Sequence, residues 1–117
     1  MAAIGVVAAD TDAAAARLAT SLQQSFVALR RGRPGPLPPP VDRMDDRWSP
    51  LEQAGVEHAF REAVVGSPAT VRRGLAAFLR RTQVNELMVT AAIFDHAARL
   101  RSFELVARIR DDFAGAA

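Results

Sequence analysis

Apolar residues along this chain fall into two kinds of run, and the two kinds alternate. Residues 2–9 (AAIGVVAA) are apolar without interruption, with Ile4, Val6 and Val7 at the centre. A short run with no polar face predicts a strand covered on both sides, as in a parallel sheet. Asp10-Thr11-Asp12 follows. Asp10 or Thr11 suits the cap of a helix, with Asp12 in its first turn. Leu18, Leu22, Phe26 and Leu29 then recur at helical spacing and predict one buried face. Arg30-Arg31-Gly32 closes the helix, with cations in the last turn and glycine just past it.

Residues 33–47 break the pattern. Five prolines in this stretch forbid a helix and favour extended geometry, so it reads as a Pro-rich loop. Trp48-Ser49-Pro50 opens a second helix, with Ser49 as the cap and Pro50 at the first position. Its apolar face, Val56, Ala59, Phe60 and Ala63, is narrow, and Gly55 costs it about 1 kcal/mol relative to alanine. Residues 63–66 (AVVG) predict a short strand. The helix that starts at Ser67-Pro68 and runs through Arg81 buries Val71, Leu75, Phe78 and Leu79. Residues 87–94 (LMVTAAIF) form a second doubly apolar strand. Asp95 suits the cap of a last helix whose Phe103, Val106, Ile109 and Phe113 share a face. Strands alternating with helices predict a parallel α/β sheet with about three strands and four to five helices. Such units make either a small open sheet or a slice of an eight-unit barrel, and periodicity does not choose between them.

Composition narrows the chemistry. The chain has 117 residues, one domain's length, so residues 1–117 read as a single domain. It has no cysteine and only His58 and His96, which excludes thiolate catalysis and leaves a zinc site short of ligands, so no metal is expected. No apolar run approaches the roughly 18 residues that span a bilayer, and no basic-then-apolar leader stands at Met1. The expected setting is the cytoplasm, away from membranes. The pI of 10.9 looks like that of a nucleic-acid binder, yet the net charge is only +2. All fifteen basic residues are arginine and there is no tyrosine. Nothing titrates between histidine and arginine, so a small excess drives the pI upward. Arg72, Arg73, Arg80 and Arg81 are the densest basic set and have no aromatic platform beside them. They read as a solvated helix face, and no nucleic-acid partner is expected.

Three places carry candidate chemistry. Gly66, Ser67 and Thr70 stand where a strand ends and a helix begins, a place whose free N–H groups attract an anion such as phosphate. Ordinary Ser-Pro helix-start chemistry accounts for the same residues. Asp95 and His96 follow a strand's carboxyl end, where parallel α/β proteins place ligands. Neighbouring helix residues do not face each other, so an N-cap aspartate beside a surface histidine is the simpler account. Trp48 and Phe60 suit either the gate of a pocket or packing at a helix entry. No Walker loop, GxGxxG or catalytic triad spacing is present.

Taken in order, LATSLQQSFVALRRGRPGPLPPPVD, WSP, AVVGSPATVRRGLAAFLRRT, ELMVT and IFDHAARLRSFELV resemble the C-terminal part of bacterial luciferase-like flavin-dependent oxidoreductases, in the single-component, group 1 branch. The resemblance implies the C-terminal portion of a (β/α)8 TIM barrel, with residues 63–66 its seventh strand and residues 87–94 its eighth. It implies reduced FMN as cofactor, or the deazaflavin F420, in monooxygenation of a small organic substrate. Of the family's positions, Gly66 and Ser67 carry over to the cofactor side, and no catalytic residue does. Ala69 stands where the family has a glutamate. Because a partial barrel leaves strand edges unpaired, the resemblance implies a homo-oligomer or a partner chain that supplies further barrel strands. The alternative is a non-catalytic α/β binding or assembly module on the same scaffold.

Overall fold

The structure, a computed structural model, describes residues 2–83 and 87–116. It contains β1 (Ala2–Ala8), α1 (Asp12–Arg30), α2 (Pro50–Ala59), β2 (Val64–Gly66), α3 (Pro68–Thr82), β3 (Leu87–Thr90) and α4 (His96–Ala116). The expected parallel α/β architecture is present, with three strands and four helices. Residues 84–86, part of the expected connection into β3, lie outside the described residues, as do the side chain of Phe113 and residue Ala117.

The strand that reads as apolar on both faces takes the centre of the sheet. The order is β2-β1-β3, all parallel. The second half of β1 pairs with β2 (Val6↔Val64 to Ala8↔Gly66), and its first half pairs with β3 (Ala2↔Leu87 to Gly5↔Thr90). The connection from β2 therefore passes over β1 and places β3 on its far side. The reversal has a consequence for the helices. Crossovers of one hand that run first one way and then the other put their helices on opposite faces. Ile4, Val6 and Ala8 accordingly pack with Val71, Leu75 and Phe78 of α3 and Leu105 and Ile109 of α4. Val7 and Ala9 pack on the other face with Ala15 and Ala19 of α1 and with Ile93.

The termini of the helices follow the local sequence. Thr11 Oγ1 accepts the N–H of Ala14 at 3.1 Å. Ser49 forms a capping box with Glu52: its hydroxyl accepts the Glu52 N–H at 3.1 Å, and Glu52 accepts the Ser49 N–H at 2.9 Å. Past α1, Gly32 adopts φ +76°. The Arg33 N–H then reaches the Ala28 carbonyl and the Gly32 N–H reaches Leu29, the paired closure for which a left-handed glycine is favoured. The Pro-rich loop folds back along α1. Thr20 Oγ1 accepts the Val41 N–H at 2.9 Å, Gln24 Nε2 donates to the Pro39 carbonyl at 3.0 Å, and Arg17 pairs with Asp42 at 2.7 Å. Arg31 grips Glu52 through two nitrogens at 2.6 and 2.7 Å and ties the end of α1 to the start of α2.

Two expectations are corrected. The buried face of α1 is Ala15, Ala19, Thr20, Ser21 and Val27, not the Leu18–Leu29 series. Leu29 is exposed, and Leu18, Leu22 and Phe26 are half-buried. Small residues let the helix approach the sheet closely, which turns its bulkier residues toward α2. Phe26 meets Phe60 edge to face, with ring centroids 5.3 Å apart. The last strand is also shorter than residues 87–94. Beyond Thr90 the chain leaves the sheet, and the Ala8 N–H donates instead to the buried Ser102 Oγ of α4 at 3.0 Å. A side chain ends the ladder where a strand would have continued it.

Ser21 Oγ is fully buried and has no hydrogen-bond partner among the described residues. Replacing it with alanine removes an unsatisfied hydroxyl at little cost in volume. Ser21→Ala is expected to raise the unfolding free energy by about 1 kcal/mol in urea titrations. A fall in stability would show that the hydroxyl is in use.

Candidate functional site

The carboxyl ends of the strands gather the polar residues that the sequence singled out. Gly66 ends β2, and Ser67 takes extended geometry (φ −68°, ψ 169°) at the start of α3. The Ser67 hydroxyl does not cap its own helix. It donates to Thr70 Oγ1 at 3.4 Å, whose oxygen also accepts from Arg73 at 3.3 Å. The amide of Ser67 is taken from elsewhere, by Asp12 Oδ1 at the start of α1, at 2.7 Å. This bond, together with hydrogen bonds from Thr70 and Ser67 and the charge of Arg73, holds the Asp12 carboxyl below its ordinary value of 3.8.

Gly66 is glycine because two groups crowd it. A Cβ there would lie 2.5 Å from Thr70 Cγ2 and 2.7 Å from Asp12 Oδ1, distances no side chain tolerates unmoved. The place at which an external anion would meet the Ser67 amide is therefore filled by a carboxylate of the chain itself. The residues present do not fit a phosphate there, since a second anion would meet the charge of Asp12 in the same position.

Asp95 acts as the cap of α4, its Oδ2 accepting the Ala98 N–H at 2.9 Å, while His96 is exposed. The structure does not join the two as a relay. Sequence reasoning missed Arg101, which reaches from α4 to Asp10 Oδ1 through two nitrogens at 2.9 and 3.3 Å and to Glu104 at 2.9 Å. Hydrogen bonding to Asp10 raises the Arg101 pKa further. The partners are 91 positions apart, and no local signal joins them. In the basic set, Arg81 pairs with Glu62 and Arg73 bonds Thr70. The described residues hold no cluster of three or more metal-ligating side chains, and no described helix is long and apolar enough to cross a membrane.

A second feature lies on the sheet's other side. Where α1 diverges from β1, a cavity of about 700 Å³ opens over the odd-numbered face of the strand. Ala3, Gly5 and Val7 floor it, and Trp48 and Phe60 stand in its wall. The two aromatics thus border a pocket, Trp48 just before α2 and Phe60 at its C-terminal end, where it packs on Phe26. Sequence reasoning missed this space, whose one local trace is a glycine, Gly5, inside an apolar strand.

No family model matches the chain. A luciferase-like monooxygenase of Escherichia coli (strain K12) is 50% identical over 115 residues, which make up 98% of this chain and 34% of that protein. The uncharacterized protein YvbT of Bacillus subtilis (strain 168) is 44% identical over 109 residues, 93% of this chain and 32% of that protein. The solved structure of apo-MsnO8 superposes with a TM-score of 0.71 at 27% identity, over 93% of this chain and 33% of that one. The chain spans about a third of the length of the curated relatives it matches.

Acid should loosen the strand-end cluster first. Asp12 and Glu52 both have folded pKa values below their ordinary ones, Glu52 at about 2 through its bonds to Arg31 and Ser49. Their stabilisation is complete above the ordinary values of 3.8 and 4.5 and drains as pH falls through the folded ones. Melting temperatures measured from pH 6 to pH 2 should fall less steeply for Asp12→Asn than for the parent. Parallel curves would show that the Asp12–Ser67 bond contributes nothing.

Proposed function

Over the stretch that it spans, this chain belongs with the luciferase-like monooxygenases, and from that premise we propose that it serves a flavin-dependent oxidoreductase that oxidises a small organic substrate in the cytoplasm. The observation that carries the reading is the 50% identity to proteins of that name across 98% of the chain. Reduced FMN is the proposed cofactor, with F420 the alternative. The flavin supplies the redox chemistry, and the polypeptide supplies binding and orientation.

The chain's own part in this reading is architectural. Gly66 and Ser67 shape the loop on the cofactor side, and the Asp12 bond keeps that loop in place. The cofactor's phosphate is placed on polypeptide beyond this chain, because Asp12 already holds the Ser67 amide and its charge opposes a second anion there. The outer edges of β2 and β3 pair with no strand among the described residues. Unpaired edges are templates for association, so the proposed partner is a second copy or a chain that supplies further strands. Light scattering at micromolar concentration should give a mass above 12.6 kDa. A well-folded, strictly monomeric species would overturn the partner reading.

A second reading, the non-catalytic binding or assembly module, draws support from the same Asp12–Ser67 bond, which closes the expected anion position. Flavin fluorescence separates the two. FMN is titrated into the chain alone, and into the chain mixed with the part of the Escherichia coli relative outside the matched residues. Saturable quenching is expected only in the mixture. No binding in either sample would favour the module. Saturable binding by the chain alone would refute the placing of the phosphate elsewhere.

A further inference from the structure

The cavity over β1 plays no part in the flavin reading, and its lining is chemically selective. Its floor is made of small residues, above all Gly5. A Cβ at Gly5 would make only ordinary contacts, 3.9 Å from Ala63 Cβ and from Thr90 Oγ1. Unlike Gly66, Gly5 is not crowded by its neighbours, so a side chain there would project into free space. At about 700 Å³ the volume lies within the range of small-molecule sites, and its walls are largely apolar, as such sites are.

The polar groups on the lining fall into two sets. Glu57 and Glu62 are exposed at the rim and engaged, Glu57 accepting from Gln53 and Glu62 pairing with Arg81. The side chains of Gln23, Trp48 and Thr90 are uncharged and make no hydrogen bond to another described residue. No arginine or histidine among the described residues lines the cavity, so a bound anion would find no counter-charge there and would pass two carboxylates on entry. An apolar space with a few convergent neutral donors and acceptors fits an apolar ring that carries one hydroxyl or carbonyl group. We propose that this cavity is a binding site for a small, neutral aromatic alcohol or carbonyl compound, its ring over Gly5 and its oxygen within reach of Gln23, Trp48 or Thr90.

Trp48 is the only tryptophan in the chain, so its indole N–H gives a single resolved signal in an amide-correlation NMR spectrum. The probes are 1-naphthalenemethanol and its charged analogues, 1-naphthoate and 1-naphthylmethylammonium, titrated into the full chain without flavin. Saturable shifts centred on the Trp48 indole and the Gly5 and Ala63 amides are expected for the alcohol, with at least tenfold weaker binding of both ions. Gly5→Leu should weaken the alcohol at least tenfold while its melting temperature shows an intact fold. Gln23→Leu, which keeps the shape of the wall, should shift preference from the alcohol toward naphthalene. Unsaturable or scattered shifts, equal binding of an ion, or unchanged affinity in both variants would each overturn the site. The titration uses no cofactor, so its failure leaves the flavin reading standing, and a failed flavin titration leaves the cavity standing.

Discussion

The fold depends on one constraint: β1 buries its central residues and is paired on one side along its first half and on the other along its second. Ile4, Val6, Val7 and Ala8 are all nearly inaccessible to solvent, and burying a residue such as Val or Ile is worth about 1.5–3 kcal/mol. No position but the centre of the sheet satisfies a seven-residue strand of this composition. Once β1 is central, β2 and β3 must flank it, and the connections must run in opposite directions. The helices then divide between the two faces. The loops after all three strands converge at one end, which brings Asp10 to Arg101 and Asp12 to Ser67 across the length of the chain.

That convergence also decides what the strand ends can do. A helix start with a free amide invites an anion, and the sequence pattern at Gly66-Ser67 is the usual invitation. The fold answers it internally, because the helix after β1 begins with an aspartate that the sheet order places against β2. Asp12 thus closes a binding position and anchors α1 to α3. The missing Cβ at Gly66 follows from this contact and needs no ligand to explain it.

What was legible in the sequence was local. The caps at Thr11, Ser49 and Asp95, the glycine stop at Gly32 and the apolar stripe of α3 each depend on residues within one turn, and each stands where the pattern puts it. The family was legible too, because its segments recur in order along the chain. The face of α1 was not, since periodicity weights large side chains while the sheet selected Ala15 and Ala19 for close approach. The extent of β3 was hidden for a similar reason: its end is set by Ser102, a residue of a different element. Strand order, the Arg101 contact and the cavity all depend on which edge β3 chose, and no window of sequence contains that choice.

The two open features of the molecule call for different occupants. A strand edge offers a row of backbone donors and acceptors, so only another strand or a covering segment satisfies it in full. The cavity over Gly5 offers the reverse: apolar walls, few polar groups and a backbone whose hydrogen bonds are already made between β1 and β3. A further strand laid across the cavity would bury its own amides without partners, at a cost of about 1–3 kcal/mol each. A compact molecule with one polar atom carries no such cost. The edges therefore suit polypeptide, and the cavity suits a compact ligand.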